Sequence, residues 1–509
     1  MKMVINNFVL ITPRAVSPAG TFPRIHPPLG AISILSEVQR AGFACCLIDS
    51  AAEGLKQGQL DSLYQPTETE NLDGVEYWKT GLKLSEVIAR LDKIQPDVIG
   101  VSCATIVDRG EVSRLVKGLK EVYPTTPIIL GGHEASFWYR EILGETIFPI
   151  ETIPGVDYIV VGPGQPVVAD LLKYLADPFN REMPAGVAYR KDNKVVFTGV
   201  VNFLPNNHSL PNYDFIPRIN LPGREKPLEI YAYIGNPQAG RNATFLSSSH
   251  PISYFPLLTS YGCGFDCRFC DTDRNLIRYA VDNVIKIIEG FKSIFDIDYI
   301  DFIDNNFGGG NSLSRSIASE ILSFVSREGY QIGFSNGLTF ESMARNNYSL
   351  IEQFAKDGNV KHIAFPCENG NDRILKMVRK PHNLELVRKV LNVSKILSGT
   401  NREGFFIGGF PASDDSPAET PQEVENTLKL IHECLEDNML HQAIFLTLSP
   451  VTREYRLIWR NLYPTAPFEH CLFSKKTGIW PYDNSLLDDA HERVNLANQK
   501  LGLSVTRKL

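Results

Sequence analysis

Short apolar segments alternate with segments of helical spacing along most of the chain, and this alternation restricts the fold more than any other feature of the sequence. In residues 1–190 the apolar segments are continuous, which is typical of strands buried on both faces of a parallel sheet. Helical spacing over 30–41 and 87–94 fills two of the intervals. The pattern predicts an α/β protein that begins with a doubly wound, Rossmann-like domain. Its predicted strands are 8–12, 44–49, 97–103, 127–130 and 157–161.

A second alternating series starts near Pro256 and continues to residue 450. About six strand–helix units in a row predict a full or partial β/α barrel, similar in its layers to a TIM barrel. The predicted strands are 256–259, 299–303, 332–335, 362–365, 404–407 and 443–448. The predicted helices include 281–295, 313–328 and 421–436.

Two segments follow neither series. Residues 191–255 are rich in Pro, Asn and Gly, and this composition predicts a connector that runs over the surface. Residues 451–509, which include Arg453, Arg456 and Trp459, fit a small cap over a pocket and a packed surface subdomain equally well. The predicted parts of the chain are therefore 1–190, 191–255, 256–450 and 451–509.

Charge and hydropathy argue against two classes of partner. The net charge of −7 disfavours nucleic acid, because phosphate binding requires a basic surface. No apolar run approaches the ~20 residues that span a bilayer, so no membrane partner is expected. The apolar stretch near the N-terminus lacks a long hydrophobic core and a small-residue cleavage site, and it predicts a first strand instead of a signal peptide. We therefore expect a cytoplasmic location.

Cysteines are scattered along the chain, and an odd total of nine does not suggest a disulfide framework. Most of them lie singly or as a pair among apolar residues, where the simplest interpretation is a small buried side chain. Cys263, Cys267 and Cys270 differ, because they form a C-x3-C-x2-C motif directly after a predicted strand. This spacing predicts metal ligands.

Three thiols are too few to close a metal site. Zinc usually completes a tetrahedron with four ligands, and the next His along the chain is the distant His362. A cubane cluster that only carries electrons also takes four ligands. The motif therefore favours an iron–sulfur cluster with one open iron, shielded by Phe269. A zinc site completed from afar and three unused thiols are the alternatives, although unused thiols would be prone to oxidation.

Small residues follow three of the predicted N-terminal strands. The segments are 102–105 (SCAT), 131–134 (GGHE) and 162–165 (GPGQ). Glycines at the carboxyl ends of parallel strands let a ligand approach the backbone, although each could serve only a tight turn. Three such ends along one edge predict a site for a large, flat or phosphate-bearing ligand.

The cysteine motif after the first strand of a β/α barrel resembles the signature of the radical S-adenosylmethionine superfamily. Segments 301–307, 332–336, 365–375 and 404–411 resemble further motifs of that family. The resemblance implies a 4Fe-4S cluster on the three cysteines, whose open iron binds S-adenosylmethionine to generate a 5'-deoxyadenosyl radical. The implied contacts of S-adenosylmethionine are Phe269, Asp304, Asn305, Ser335, Asn336 and Glu368.

Residues 1–190 resemble the cobalamin-binding domain that precedes the barrel in one branch of this superfamily. The branch usually reads GEGE where this chain has GPGQ at 162–165, and this chain lacks the D-x-H-x-x-G motif that supplies an axial His to cobalt. His133 is therefore expected at the rim of the cofactor and not on the metal. The implied cobalamin contacts are Ser102, Thr105, Gly131, Gly132, His133, Gly162 and Gly164.

The resemblance implies transfer of a methyl group to an unactivated carbon of a small-molecule natural product, with an external electron donor of the flavodoxin or ferredoxin type. Non-methylating chemistry of the same branch, such as cyclisation, ring contraction or rearrangement, is the alternative, with or without cobalamin. A structural cluster or zinc protein is a third possibility. A methylthiotransferase would need a second cluster, but Cys45 and Cys46 are adjacent in a predicted strand and point to opposite faces. No acid or base catalyst stands out.

Overall fold

The computed structural model describes residues 4–19, 27–54, 67–72, 74–220, 225–233, 253–336, 338–472 and 478–500. It contains two large sheets, one in each of two successive α/β regions, and three smaller ones. The predicted order, a Rossmann-like domain followed by a β/α region, is confirmed. Within the described residues no helix is long and apolar enough to cross a membrane.

Among its described residues, the N-terminal region contains ten strands and seven α-helices. The strands are β1 (Asn7–Thr12), β2 (Ala15–Pro18), β3 (Ala44–Asp49), β4 (Glu68–Leu72), β5 (Val75–Thr80), β6 (Val98–Ser102), β7 (Ile128–Gly131), β8 (Tyr158–Val160), β9 (Val187–Lys191) and β10 (Lys194–Phe197). The helices are α1 (Leu29–Arg40), α2 (Ser50–Glu53), α3 (Leu84–Ile94), α4 (Asp108–Val122), α5 (His133–Phe137), α6 (Tyr139–Ile142) and α7 (Val168–Ala176).

Seven of these strands form one sheet in the order β10-β9-β8-β7-β6-β1-β3, in which β8, β7, β6, β1 and β3 are parallel. Phe8 and Leu10 of β1 pack into a core with α1 and α7, whereas Val9 and Ile11 pack into a second core with α3 and α4. Both faces are thus covered. The strand order reverses between β1 and β6, and doubly wound sheets bind ligands at the carboxyl ends beside such a reversal.

Two features of this region were not predicted from the sequence. The hairpin β9–β10 adds antiparallel strands to one edge, so the sheet is mixed and not purely parallel. Its turn residues Asp192 and Asn193 have φ angles of 48° and 60°, the left-handed conformation that suits a two-residue hairpin turn. Strands β2, β5 and β4 form a separate small antiparallel sheet.

The connector and the C-terminal region contain the remaining elements. The strands are β11 (Arg218–Ile219), β12 (Leu228–Glu229), β13 (Tyr254–Leu257), β14 (Ser260–Tyr261), β15 (Ile277–Arg278), β16 (Tyr299–Phe302), β17 (Gln331–Phe334), β18 (Val360–Glu368), β19 (Asn401–Gly408) and β20 (Gln442–Thr447). The helices are α8 (Ile230–Tyr233), α9 (Val281–Ile294), α10 (Ser312–Arg327), α11 (Phe340–Asp357), α12 (Asp372–Met377), α13 (Leu384–Val393), α14 (Pro421–Glu436), α15 (Arg453–Leu462) and α16 (Ser485–Lys500).

Six parallel strands form the second large sheet in the order β13-β16-β17-β18-β19-β20. In the part of the chain that the structure describes, β13 and β20 do not pair, so the barrel is of the partial kind. Strand β18 is longer than predicted and reaches Glu368, because Cys367 continues its buried face. Asn498 of α16 exchanges two hydrogen bonds with the backbone of Ala443 in β20, so α16 protects that edge strand.

Gly370, just after β18, provides a test of the packing between β18 and α14. A Cβ atom on Gly370 would lie 2.5 Å from the Cα of Thr427, which is a backbone atom that cannot yield. We expect Gly370→Ala to lower the free energy of unfolding by about 1–3 kcal/mol in urea denaturation. Gly290→Ala in α9 is the matched control, since its Cβ meets only ordinary contacts at 3.8 Å and should stabilise the helix slightly. Equal stability of the two variants would contradict this packing.

Candidate active site

The three cysteines of the motif lie in residues 262–276, here called the cysteine loop, which connects the paired strands β14 and β15. The loop is held through its backbone. Cys263 donates its N–H to the carbonyl of Asp273, at 2.9 Å, and its own carbonyl accepts from Asn306, at 2.7 Å. Arg274 donates to the carbonyls of Cys267 and Cys270. These contacts use backbone groups of the loop, and the Cys270 thiol donates to the hydroxyl of Thr272, at 3.2 Å.

Burial raises the pKa of the Cys263 thiol, and it raises the pKa of Cys267 to about 11. The ammonium of Lys380 opposes this shift at both thiols. Lys380 lies 2.6 Å from Glu368 and 5.3 Å from the ring centre of Phe269. Burial disfavours its charge, but Glu368 and the thiols more than compensate, so the pKa of Lys380 is raised. A buried cation beside the loop stabilises thiolates, the form that binds metal.

The donor set fits an iron–sulfur cluster better than a single ion. Among the described residues, no three His, Cys, Asp or Glu side chains come close enough together to hold one metal ion. A cubane binds each thiolate through a different iron, so its ligands need not converge on one point. Phe269 of the loop packs against Phe410 at a centroid distance of 6.0 Å.

The S-adenosylmethionine contacts expected at the strand ends fall into two groups. Asn305, after β16, and Asn336, after β17, are exposed, and their side chains lie 3.4 Å apart. Ser335 is half-buried beside them. These three residues offer polar groups to a ligand. Glu368, at the end of β18, is buried, and its partner is Lys380.

Asp304 is placed differently from what the sequence suggested. Its carboxylate is fully buried and accepts hydrogen bonds from the backbone and hydroxyl of Thr259 and from the hydroxyl of Ser260. Burial raises the pKa of Asp304, and these hydrogen bonds oppose the shift. These hydrogen bonds hold the strand that leads into the cysteine loop, and the contact of Asp304 with S-adenosylmethionine stays a prediction.

The four glycines expected to contact cobalamin also divide into two groups. A Cβ atom on Gly131 or Gly162 would meet nothing within 4 Å, so both border open space at the carboxyl edge of the N-terminal sheet. Gly132 instead has a φ of 108° and would clash with the carbonyl of Cys103, at 2.4 Å. Gly164 packs against Ile34. The first two glycines leave room for a ligand and the other two are closely packed, and the contact of all four with cobalamin stays a prediction.

Ser102 and Thr105 lie at the same edge. Ser102 ends β6 and is paired with Gly131 of β7. Thr105 is exposed, and its hydroxyl donates to Asp108 at the start of α4. The edge therefore combines open space with polar groups, a combination that fits a large polar cofactor such as a corrin.

His133 joins this edge to the cysteine loop. Its Nε2 lies 3.0 Å from the carboxylate of Asp271, the residue after Cys270, and the hydrogen bond to Asp271 raises the pKa of His133. Gln165 makes a second link, because it donates to the hydroxyl of Tyr261 in β14, at 3.1 Å. Asp271 was not predicted from the sequence, although its position beside a motif cysteine was a signal.

Comparison with known proteins agrees with this geometry. A family model described as the B12 binding domain matches residues 18–172, and one for the radical SAM superfamily matches residues 257–431. The chain belongs to the radical S-adenosylmethionine superfamily. The N-terminal match confirms the branch of this superfamily that carries a cobalamin-binding domain ahead of the barrel. The two matched ranges include the open edge at Gly131 and the cysteine loop, respectively.

The relatives are distant. A cytidylyl-2-hydroxyethylphosphonate methyltransferase from Streptomyces wedmorensis is 21% identical over 483 residues, which are 87% of this chain and 79% of the relative. An anaerobic magnesium-protoporphyrin IX monomethyl ester cyclase from Cereibacter sphaeroides is 25% identical over 232 residues, which are 45% of this chain and 32% of the relative.

A solved structure shares the fold. The radical S-adenosylmethionine methyltransferase TsrM from Kitasatospora setae, with cobalamin and a [4Fe-4S] cluster bound, matches with a TM-score of 0.57 at 13% identity. The match covers 90% of this chain and 75% of that one. At this identity the match shows a shared fold.

Lys380 provides a test of the electrostatics of the loop. In metal-free protein we expect Lys380→Met to slow alkylation of Cys263 and Cys267 by iodoacetamide at pH 9, because loss of the ammonium raises the pKa of these two thiols and the thiolate is the nucleophile. Mass spectrometry of the peptide that contains Cys267 gives the rate. Lys376→Met is the control, since Lys376 is exposed on α12. Equal rates in both variants would exclude this influence of Lys380.

Proposed function

We propose that this protein is a cobalamin-dependent radical S-adenosylmethionine enzyme that transfers a methyl group to an unactivated carbon of a small molecule. The contact between His133 and Asp271 carries the proposal, because it brings the open edge at Gly131 and Gly162 next to the cysteine loop. Two cofactors that act on one substrate must border the same space. The methyltransferase similar to this chain over 87% of its length supports the choice of reaction.

The residues of the loop would hold the cluster and leave one iron for S-adenosylmethionine. In this proposal Cys263, Cys267 and Cys270 bind three irons, and Asn305 and Asn336 contact the bound S-adenosylmethionine from the strand ends. When bound, the cluster supplies the electron that cleaves S-adenosylmethionine, and cobalamin supplies a methyl carrier. The chain itself contributes water exclusion and positioning.

Cobalamin would occupy the open edge of the N-terminal sheet. Gly131 and Gly162 provide the space, and Ser102 and Thr105 provide polar groups at its border. His133 is already paired with Asp271, so we assign it to the rim of the cofactor and not to the metal.

The external partners follow from the chemistry. A cluster that must be reduced before each cleavage needs an electron donor, for which we propose a flavodoxin or ferredoxin. All nine cysteines are free thiols, which suits a reducing compartment, and we propose that the enzyme acts in the cytoplasm.

A second candidate function is radical chemistry without methylation, such as cyclisation. The 25% identity to the magnesium-protoporphyrin ester cyclase favours it, although that match covers only 45% of this chain. The two functions differ in what they do with S-adenosylmethionine. Methyl transfer to a corrin releases S-adenosylhomocysteine, whereas radical formation alone releases only 5'-deoxyadenosine and methionine.

Product analysis therefore tests the proposal. We expect protein reconstituted anaerobically with iron, sulfide and hydroxocobalamin, and then reduced, to convert S-adenosylmethionine into both S-adenosylhomocysteine and 5'-deoxyadenosine. Cys267→Ala should lose the cluster absorbance and the 5'-deoxyadenosine, because only two of the three thiols remain. Production of 5'-deoxyadenosine alone, with corrin bound, would favour the non-methylating function. Zinc in place of iron, with no cleavage, would contradict both.

Gly131 provides a separate test of the cobalamin site. We expect Gly131→Ala to keep the stability of the parent protein and to bind hydroxocobalamin about tenfold more weakly, because the new methyl group enters the open space and nothing else. Titration calorimetry measures the affinity. Gly290→Ala, in the barrel, should bind as the parent does. If Gly131→Ala binds hydroxocobalamin with the parent's affinity, the corrin does not lie at this edge.

A further inference from the structure

Helix α15 is anchored to the N-terminal domain by five buried charges, here called the five-charge cluster. Arg456 of α15 lies 3.1 Å from Glu134 and 3.3 Å from Glu151, and Arg460 lies 2.6 Å from Glu151. Arg109 of α4 contacts the same two carboxylates, at 2.9 and 3.1 Å. Each of these side chains is at most 2% exposed. Buried ions lose their partners if the helix shifts, so α15 must move with the N-terminal domain.

Aromatic rings surround the same charges. The guanidinium of Arg456 lies 4.4 Å from the ring centre of Trp138, and that of Arg460 lies 4.5 Å from the ring centre of Phe468. Such cation–π contacts add directional attraction where water is excluded. They leave α15 little freedom to rotate about its axis.

The first turn of α15 contacts the cysteine loop. Glu454 accepts two hydrogen bonds from Arg268, at 3.0 and 3.1 Å, in the forked geometry that fixes orientation as well as distance. Arg268 lies between Cys267 and Phe269 in the sequence. Its backbone N–H also donates to the carbonyl of Val378, at 3.0 Å. A single helix therefore links the N-terminal domain to the loop that carries the thiols.

A third contact connects the N-terminal domain to the cysteine loop directly. Glu134 of the five-charge cluster follows His133 directly, and His133 contacts Asp271 in the cysteine loop. The loop is thus held from two sides, by Glu454 through Arg268 and by His133 through Asp271. Two separate attachments restrict rotation of the loop against the N-terminal domain, which one attachment would allow.

We propose that helix α15 is the positioning element that sets the distance and orientation between the two cofactors, with Glu454 as its positioning residue. The inference rests on the proposed function, since it assumes that both cofactors bind. The five-charge cluster anchors the helix to the cobalamin-binding domain. Through its pair with Arg268, Glu454 fixes the cysteine loop relative to the helix. The Glu454 carboxylate is 39% exposed, so its loss should alter the position of the loop without unfolding the protein.

The distance between two paramagnetic centres tests this inference directly. Pulsed EPR on protein that contains cob(II)alamin and the reduced cluster reports their separation, whether or not the enzyme turns over. We expect the wild-type protein to give one narrow distance distribution. Glu454→Lys should broaden the distribution and shift it, because the new ammonium repels Arg268. The same variant should release more 5'-deoxyadenosine for each S-adenosylhomocysteine.

Two further variants separate positioning from general damage. Leu457→Ala changes a partly exposed side chain of the same helix that makes no ion pair, and it should keep the wild-type distribution. The exchange Arg268→Glu with Glu454→Lys restores an ion pair and should narrow the distribution again. The inference is supported if the distance distribution is broadened in Glu454→Lys and narrowed again in the double variant Arg268→Glu with Glu454→Lys.

The outcomes also separate this inference from the function on which it rests. If corrin and cluster both bind, and the distance distribution is the same in wild type and Glu454→Lys, the role of α15 is overturned. The proposed function is not contradicted by that result. Wild-type protein that binds no corrin would contradict the proposed function, and this inference with it.

Discussion

The contact between His133 and Asp271 joins the carboxyl edge of the first sheet to the loop that carries the thiols. Parallel strands present their carboxyl ends to the loops that bind ligands, in doubly wound sheets and in β/α barrels alike. Because the two edges meet, the open space at Gly131 borders the same region as the cysteine loop. With both cofactors in their proposed sites, a substrate held beside one of them would also lie close to the other.

This contact does not hold the two regions together by itself. His133 is 49% exposed, and an exposed ion pair contributes about 0–1 kcal/mol. The buried pairs between Arg456 and Glu134 and between Arg460 and Glu151 differ, since removal of one partner from such a pair typically costs about 3–5 kcal/mol. The strength of the interface therefore lies in the buried ion pairs of α15, and the contact between His133 and Asp271 contributes little to it.

Much of the fold followed from apolar patterns. Strand β3 matches the predicted range of 44–49 because its apolar run is continuous. Helix α14 matches 421–436 because its apolar residues are periodic and a capping box at Thr420 marks its start. The hairpin β9–β10 was missed because its strands mix charged and apolar residues at a sheet edge. The consecutive Asp192 and Asn193 were a usable signal, since both residues adopt left-handed turn conformations more readily than most.

In the candidate site, too, local features were predictable from the sequence and long-range contacts were not. The spacing of Cys263, Cys267 and Cys270 is local, so the sequence alone identified the loop. The pair of Arg268 and Glu454 spans 186 residues, and nothing in either neighbourhood marks the other as its partner. Spacing also could not separate Gly131 from Gly132, because the difference lies in what a Cβ would meet in three dimensions. A local motif thus predicts which residues carry the chemistry. In our proposal, the distance between the two cofactor sites depends on long-range charge pairs that only the folded chain brings together.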